Sequence, residues 1–304
     1  MKETQKGYLM CFIGVITWSF SEIIVKLLGE VGFISLSFLR FFIGGFFLLI
    51  IILIQKENTK DLLLITRKYK WLMIISAVIG LGISNMIYFL GLQFTNANVG
   101  AALYTTYPIF ISIYSIFLLK ERSNLKLKAI GYSIGITGTL ILMTNFQFEL
   151  LFQPQNIIGN ILLVFAAVLF AFQSVIGKMI FRKSEDISNI EIKYTTTSFL
   201  LACIPIIILL LFTPELNTFL IYNLYEWTFI LILGIISTGF GLYIFYRGIK
   251  KIELSKGISL ALLKPIISTI FCYIILLELP TIALLISIPM IMFAVFLINR
   301  PVNN

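Results

Sequence analysis

Hydrophobic positions in this chain do not alternate with polar ones. They fill whole stretches, near residues 8–28, 33–54, 71–92, 97–119, 129–145, 157–181, 190–212, 227–247, 257–277 and 282–299. Coiled as α-helix, an apolar run of about 17–25 residues spans the hydrocarbon of a bilayer. Lipid offers no partner to an unpaired backbone N–H or C=O, so each run is expected to be helical. The pattern predicts an all-α integral membrane protein with ten transmembrane helices. The fifth and tenth runs are short and leave room for little tilt.

The connections between the runs carry a second pattern. Lys2 and Lys6 precede the first run. The second connection holds Lys56, Lys60, Arg67, Lys68 and Lys70, and the fourth Lys120, Arg122, Lys126 and Lys128. The sixth holds Arg182, Lys183 and Lys193, the eighth Arg247, Lys250, Lys251 and Lys256, and Arg300 follows the last run. The odd-numbered connections have no Lys or Arg. Positive connections stay in the cytoplasm. Both termini are therefore expected inside, in a prokaryotic plasma (inner) membrane. The opening MKETQKG could pass for a signal-peptide start, but the apolar run after it is too long and no small-residue cleavage site ends it.

Composition sharpens this picture. Of 304 residues, 59% are hydrophobic and 12% charged, against about 45–50% and about 25% in soluble domains. The net charge of +9 resides in short connections and forms no basic face, which argues against nucleic acid as a partner. The chain has no histidine, which removes His-based metal sites and His general bases. Cys11, Cys203 and Cys272 lie singly in apolar runs without metal or redox spacing. No cofactor or metal is expected. No GxxxxGK loop occurs, so no ATPase is implied.

One phrase is written twice: GAALYTTYP at Gly100–Pro108 and GISLALLKP at Gly257–Pro265. At an offset of 157, Gly91 falls on Gly248, Gly100 on Gly257, Pro108 on Pro265 and Glu121 on Glu278. At an offset of 152, Gly7, Phe20 and Lys26 fall on Gly159, Phe172 and Lys178. Each half holds five runs, an odd number, so the second must enter the membrane from the opposite face. The flanking charges agree. Glu121 sits between Lys120 and Arg122, whereas LELPT around Glu278 has no positive residue. These are the marks of two inverted-topology five-helix repeats, 1–145 and 157–299, an architecture of secondary transporters.

The run YFLGLQFTNANVGAALYTTYPIFISIYSIFLLKERSNLKLKAIGYSIGITG, with GVITWSFSEIIVK and LSFLRFF before it, resembles an EamA repeat of the drug/metabolite transporter superfamily. The second half is more diverged but keeps Gly248, Pro265 and Glu278, and the resemblance covers nearly the whole chain. It implies ten helices, two EamA domains, cytoplasmic termini and a cavity between the halves. It also implies movement of amino acids, other small metabolites or drugs, often outward. It bears on the fold more than on the substrate. The position of Glu22 is more usually apolar or small in that family.

Ionisable groups at membrane depth cost roughly 2.5–3.5 kcal/mol even on the lenient insertion scale, so each needs a reason. Lys26 and Lys178, near helix ends, can snorkel to their interfaces. Glu22 lies about 9 Å, and Arg40 about 10 Å, below the outer ends of the first two helices, and Lys26 is one turn from Glu22. The sequence thus predicts Glu22 held between Arg40 and Lys26, either as a structural tie or as a pair opened by substrate or a proton. Lys264 lies about 11 Å into the ninth helix. It is followed by Pro265, which removes a helical hydrogen bond, and it either faces a cavity or snorkels. As a cavity residue it would take an anionic substrate group, with Tyr104 and Tyr107 across from it. Trp18, Asn85, Tyr88, Gln173, Tyr243 and Tyr246 are further lining candidates. Pro108 and Pro265 are expected kinks, and Gly131, Gly135 and Gly138 close-packing positions.

The expected function is secondary transport of small metabolites, amino acids or related organic compounds, as an exporter working by alternating access, with a small-molecule substrate, the lipid bilayer and candidate protons as partners. Drug or cation efflux, or uptake, would suit the same fold. An intramembrane enzyme lacks its nucleophile–base pair, a carboxylate dyad and the Gly-Asp protease pattern. A sensor without flux would have less use for the repeat.

Overall fold

The computed structural model describes residues 2–29, 31–95, 97–277 and 281–300. Ten helical spans are long and apolar enough to cross a membrane: Glu3–Leu27, Phe33–Ile54, Lys70–Leu92, Val99–Leu118, Leu125–Thr144, Pro154–Lys183, Ile190–Leu210, Leu224–Ile249, Leu254–Ile275 and Ile282–Asn299. They are numbered 1 to 10 below. The described residues contain no strand. Several basic residues expected in connections are helical instead. Lys126 and Lys128 belong to the first turns of span 5, and Lys193 to that of span 7. Span 5 is accordingly 20 residues long and not short. Within the second connection Lys60–Lys68 forms a further helix.

The two halves pack into each other through corresponding glycines. A β-carbon on Gly248 of span 8 would lie 2.7 Å from the backbone oxygen of Gly7 in span 1, and one on Gly159 of span 6 would lie 2.7 Å from that of Gly91 in span 3. These are the same crossing, made once by each half at the two offsets read from the sequence. Close backbone approach at small residues is how helices associate where lipid removes the hydrophobic drive. Span 2 likewise meets spans 7 and 8, at Gly45 and Gly44, and spans 5 and 10 meet at Gly131 and Gly138.

The departures from α-helix also correspond. Span 3 is a π-helix over Ile74–Ile83 and span 8 over Leu233–Phe240, ending at equivalent positions. Such wide turns are rare and concentrate at functional sites. Span 4 is broken at Thr105–Thr106, and a new helix starts at Tyr107 with Pro108 in its first turn. Span 9 tightens to 3₁₀ over Leu260–Leu263, and a new helix starts at Lys264 with Pro265 in its first turn. Proline has no N–H to lose at a helix start, which is why the breaks fall there.

Carboxylates cap helix starts across the halves. Glu215 accepts the N–H groups of Ile34 (3.3 Å) and Ser35 (2.8 Å) at the start of span 2. Glu57 accepts from Ser188, Asn189 and Lys193 at the start of span 7. Glu121 accepts the N–H groups of Leu254 (2.8 Å) and Ser255 (3.4 Å) at the start of span 9. Negative charge is favoured at such ends. The repeat partner of Glu121, Glu278, lies outside the described residues.

Gly248→Val should abolish monodisperse protein in detergent, because Cys11 Sγ (2.6 Å) and Gly7 O (2.7 Å) block the added carbon. Gly29→Ala meets only Lys26 O at 3.6 Å and should leave the elution profile unchanged. A normal profile for Gly248→Val would mean that the crossing does not govern assembly.

Candidate functional site

The break in span 9 sets Lys264 against span 1. Ser19 Oγ reaches Lys264 O at 3.5 Å, and Ser268 Oγ donates to Ser19 O at 3.2 Å, so the two helices are laced at this level. One turn along span 1, Glu22 Oε1 lies 2.9 Å from Lys264 Nζ. The pair joins the first half of the chain to the second. It is not sealed: the side chains keep 25% and 38% of their surface open.

This replaces the expected pairing of Glu22 with Arg40 and Lys26. The Glu22 carboxylate faces span 9 rather than span 2. Among the described residues Arg40 makes no ion pair. Its guanidinium carbon lies 5.0 Å from the ring centre of Phe41, and its Nε is buried without a hydrogen-bond partner. Lys26 is exposed on the last turn of span 1.

Three tyrosines connect the pair to Arg40. Tyr88 and Tyr104 pack at 4.6 Å between ring centres, and Tyr104 and Tyr107 at 5.8 Å. Phe170 of span 6 closes the group, 5.8 Å from Tyr104 and 5.1 Å from Tyr107. Tyr88 lies within electrostatic reach of both Glu22 and Arg40, Tyr107 of Glu22, and Tyr104 of Arg40. Tyr107 is buried and sits at the position in span 4 that Lys264 occupies in span 9. The repeated phrase therefore yields a ring on one side and a charge on the other.

The remaining candidates divide. Trp18, one turn from Glu22, packs tilted against Phe245 of span 8 at 5.0 Å between ring centres. Asn85, one turn from Tyr88, has a buried Oδ1 with no partner. Gln173 is fully buried one turn beyond Phe170, and neither of its side-chain polar atoms is paired. Tyr243 points elsewhere: its hydroxyl is 3.5 Å from Arg247 Nη1, and Glu191 and Glu57 are its other charged neighbours, all at the basic end. Tyr246 is buried between Phe181 and Tyr194. A cleft of about 700 Å³ is lined by none of these residues. It is an apolar groove among spans 4, 5 and 6, lined by residues such as Leu103, Leu140 and Phe165.

The basic end is shut by contacts the sequence did not disclose. Arg182 Nη2 donates to Glu121 Oε1, and its Nη1 to Leu119 O, both at 2.7 Å. Lys128 pairs with Glu253 at 3.0 Å. Lys193, fully buried, pairs with Glu57 at 2.9 Å and with Asp61 at 2.8 Å. Lys251 pairs with Glu3. All four ties cross between the halves. Lys178 does not snorkel; it is buried and donates to the backbone oxygens of Ile249 and Ile252. Hydrogen bonds from Ser188, Lys193 and Asn189 bring the Glu57 carboxyl down to about 2. Burial pushes that of Glu121 up, against the pull of Lys178 and Arg182. A small cavity of about 200 Å³ remains at this end, lined by Lys178, Phe181, Arg182, Glu185 and Lys250.

The model of the EamA-like transporter family matches the chain twice, over residues 5–144 and 157–300. The chain belongs to the EamA-like transporter family. A protein named "Uncharacterized transporter YoaV" from Bacillus subtilis (strain 168) is 26% identical over 287 residues, which is 92% of each chain. An "Uncharacterized transporter" of Archaeoglobus fulgidus is 25% identical over 302 residues, 97% of this chain and 99% of its own. A solved crystal structure superposes with a TM-score of 0.78 over 97% of this chain and 96% of the other, at 20% identity, so the two share a fold. Two EamA repeats thus account for the paired crossings, π-helices and breaks.

Neutralising one member of the Glu22–Lys264 pair strands the other. Glu22→Gln and Lys264→Met should each lower the thermal stability of purified protein, and the double variant should recover part of the loss. The coupling expected for a pair this open is about 1–2 kcal/mol. Glu22→Gln with Arg40→Gln should be additive within about 0.5 kcal/mol. The reverse pattern of couplings would restore Arg40 as the partner.

Proposed function

We propose that this EamA protein is a secondary transporter that exports small organic metabolites, amino acids or compounds like them, by alternating access between two inverted repeats. The observation that carries the reading is the Glu22–Lys264 pair, partly open and formed across the two halves beside a helix break. A charge pair in such a place is costly unless it serves a pathway. Closure of the basic end by ties that also cross the halves supports the same reading, because rocking one half against the other would break those ties while uncovering the site from that end.

In this reading the basic end is cytoplasmic, both termini lie inside, and the membrane is a prokaryotic plasma membrane, as the asymmetry of Lys and Arg implies. The substrate would reach the site among Glu22, Lys264 and the tyrosines when the ties at Glu121, Glu57 and Glu253 open. A proton competing for Glu22 is one route to energy coupling; exchange of one metabolite for another is the second.

Counterflow in proteoliposomes tests the reading, using a panel of labelled amino acids, amines and nucleobases. At least one compound should accumulate against unlabelled compound inside, and Lys264→Met should slow it by about ten-fold or more, because Glu22 is left without its partner beside the site. In cells, a cysteine at Gln155 in a Cys-free background should react with an impermeant maleimide and one at Thr59 should not. A panel without flux would argue for a membrane protein with no transport role, and inverted labelling would reverse the orientation.

A further inference from the structure

Arg40 is the one membrane-depth cation in the central region that the chain leaves without an anion among the described residues. Lys264 is matched by Glu22, and Lys26 lies at the exposed end of its helix. The pair cancels, so the region around Tyr88, Tyr104 and Arg40 keeps one net positive charge. Two polar atoms there are also buried and unpaired: the donor Arg40 Nε and the acceptor Asn85 Oδ1. Buried polar groups in native proteins are nearly always satisfied, and a bound substrate group would pair both of these at once. Arg40 is held from one side by the Phe41 ring at 5.0 Å. The titratable neighbours that face it from other spans are the neutral hydroxyls of Tyr88 and Tyr104.

We infer that Arg40 is the anion subsite of the region it shares with Tyr88, Tyr104 and the Glu22–Lys264 pair, that it takes the carboxylate of a monoanionic or zwitterionic substrate, and that Lys264 does not. The inference rests on the transport reading above and names the chemistry of its substrate. A guanidinium offers parallel N–H donors in a fixed fork that fits a carboxylate through two hydrogen bonds. A single negative charge brings the region to neutrality. A phosphate dianion would leave an excess negative charge in a place poor in water, which is costly. Lys264 is a weaker choice because any anion bound to it must first displace Glu22. The tyrosine hydroxyls beside Arg40 can donate to the same carboxylate or to a polar group next to it.

Binding to purified wild-type protein tests this without any variant. The probes are leucine and phenylalanine, each set against the amine that lacks only its carboxylate, 3-methylbutylamine and phenethylamine, with inorganic phosphate as a third arm. At least one acid should raise the melting temperature, and its amine and phosphate should not. Arg40→Gln should weaken binding of that acid by about ten-fold to a hundred-fold, the range for one charge-assisted contact, and Arg40→Lys should recover part of it. Preference for an amine or for phosphate, or no carboxylate bound at all, overturns the assignment. So does an unchanged affinity in Arg40→Gln. Counterflow of amines with carboxylates ignored would reject Arg40 as the anchor while leaving the transport reading in place.

Discussion

The Glu22–Lys264 pair is formed between helices that belong to different halves of the chain, and much of the central architecture follows from that. Pairing offsets the roughly 2.5–3.5 kcal/mol that an ionised group at such depth costs. Span 9 permits the pairing by breaking: the 3₁₀ turn Leu260–Leu263 and Pro265 start a new helix at Lys264, facing span 1. Ser19 and Ser268 hold that contact from both sides. The same break in span 4 carries Tyr107, which needs no counter-charge and packs against Tyr104 and Phe170. One backbone device thus serves two side chains of different chemistry.

The halves are further bound by glycine crossings and by carboxylates at helix starts. Glycine crossings are rigid, because a backbone in contact with a backbone has no side chain to yield. Ion pairs at a wet end are different: they exchange readily with water and are worth little each. The molecule therefore combines a fixed lattice within the membrane with ties at the basic end that can open. Arg182–Glu121, with its guanidinium exposed, belongs to the second kind, whereas Lys193 is fully buried against Glu57 and is the firmer tie.

The spans, the repeat and the family were legible in the chain because they depend on long averages: hydrophobic runs, alternating charge in connections and glycines at constant offset. The membrane-depth charges were legible as individuals, since Glu22, Arg40 and Lys264 interrupt apolar runs. Their pairing was not. Depth along a helix follows from counting residues, but the face a residue presents to a distant span depends on how the halves interlock. Hence Glu22 was matched to neighbouring Arg40 when its partner lies far along the chain. Lys178 misled for a related reason: its two acceptors are backbone oxygens, which no side-chain pattern reveals. Tyr243 has suitable chemistry and a suitable helix, yet turns toward Arg247 at the basic end.

Alternation of the two ends is the central claim, and pulsed electron-spin distances test it most directly. One spin-label pair at exposed Arg122 and Glu185 would report on the basic end, and another at exposed Gln93 and Thr218, one on each half, on the opposite end. In lipid nanodiscs the account predicts two populations whose proportions shift with a transported compound, the basic end lengthening as the other end shortens. A single basic-end distance that stays fixed while flux proceeds would contradict it.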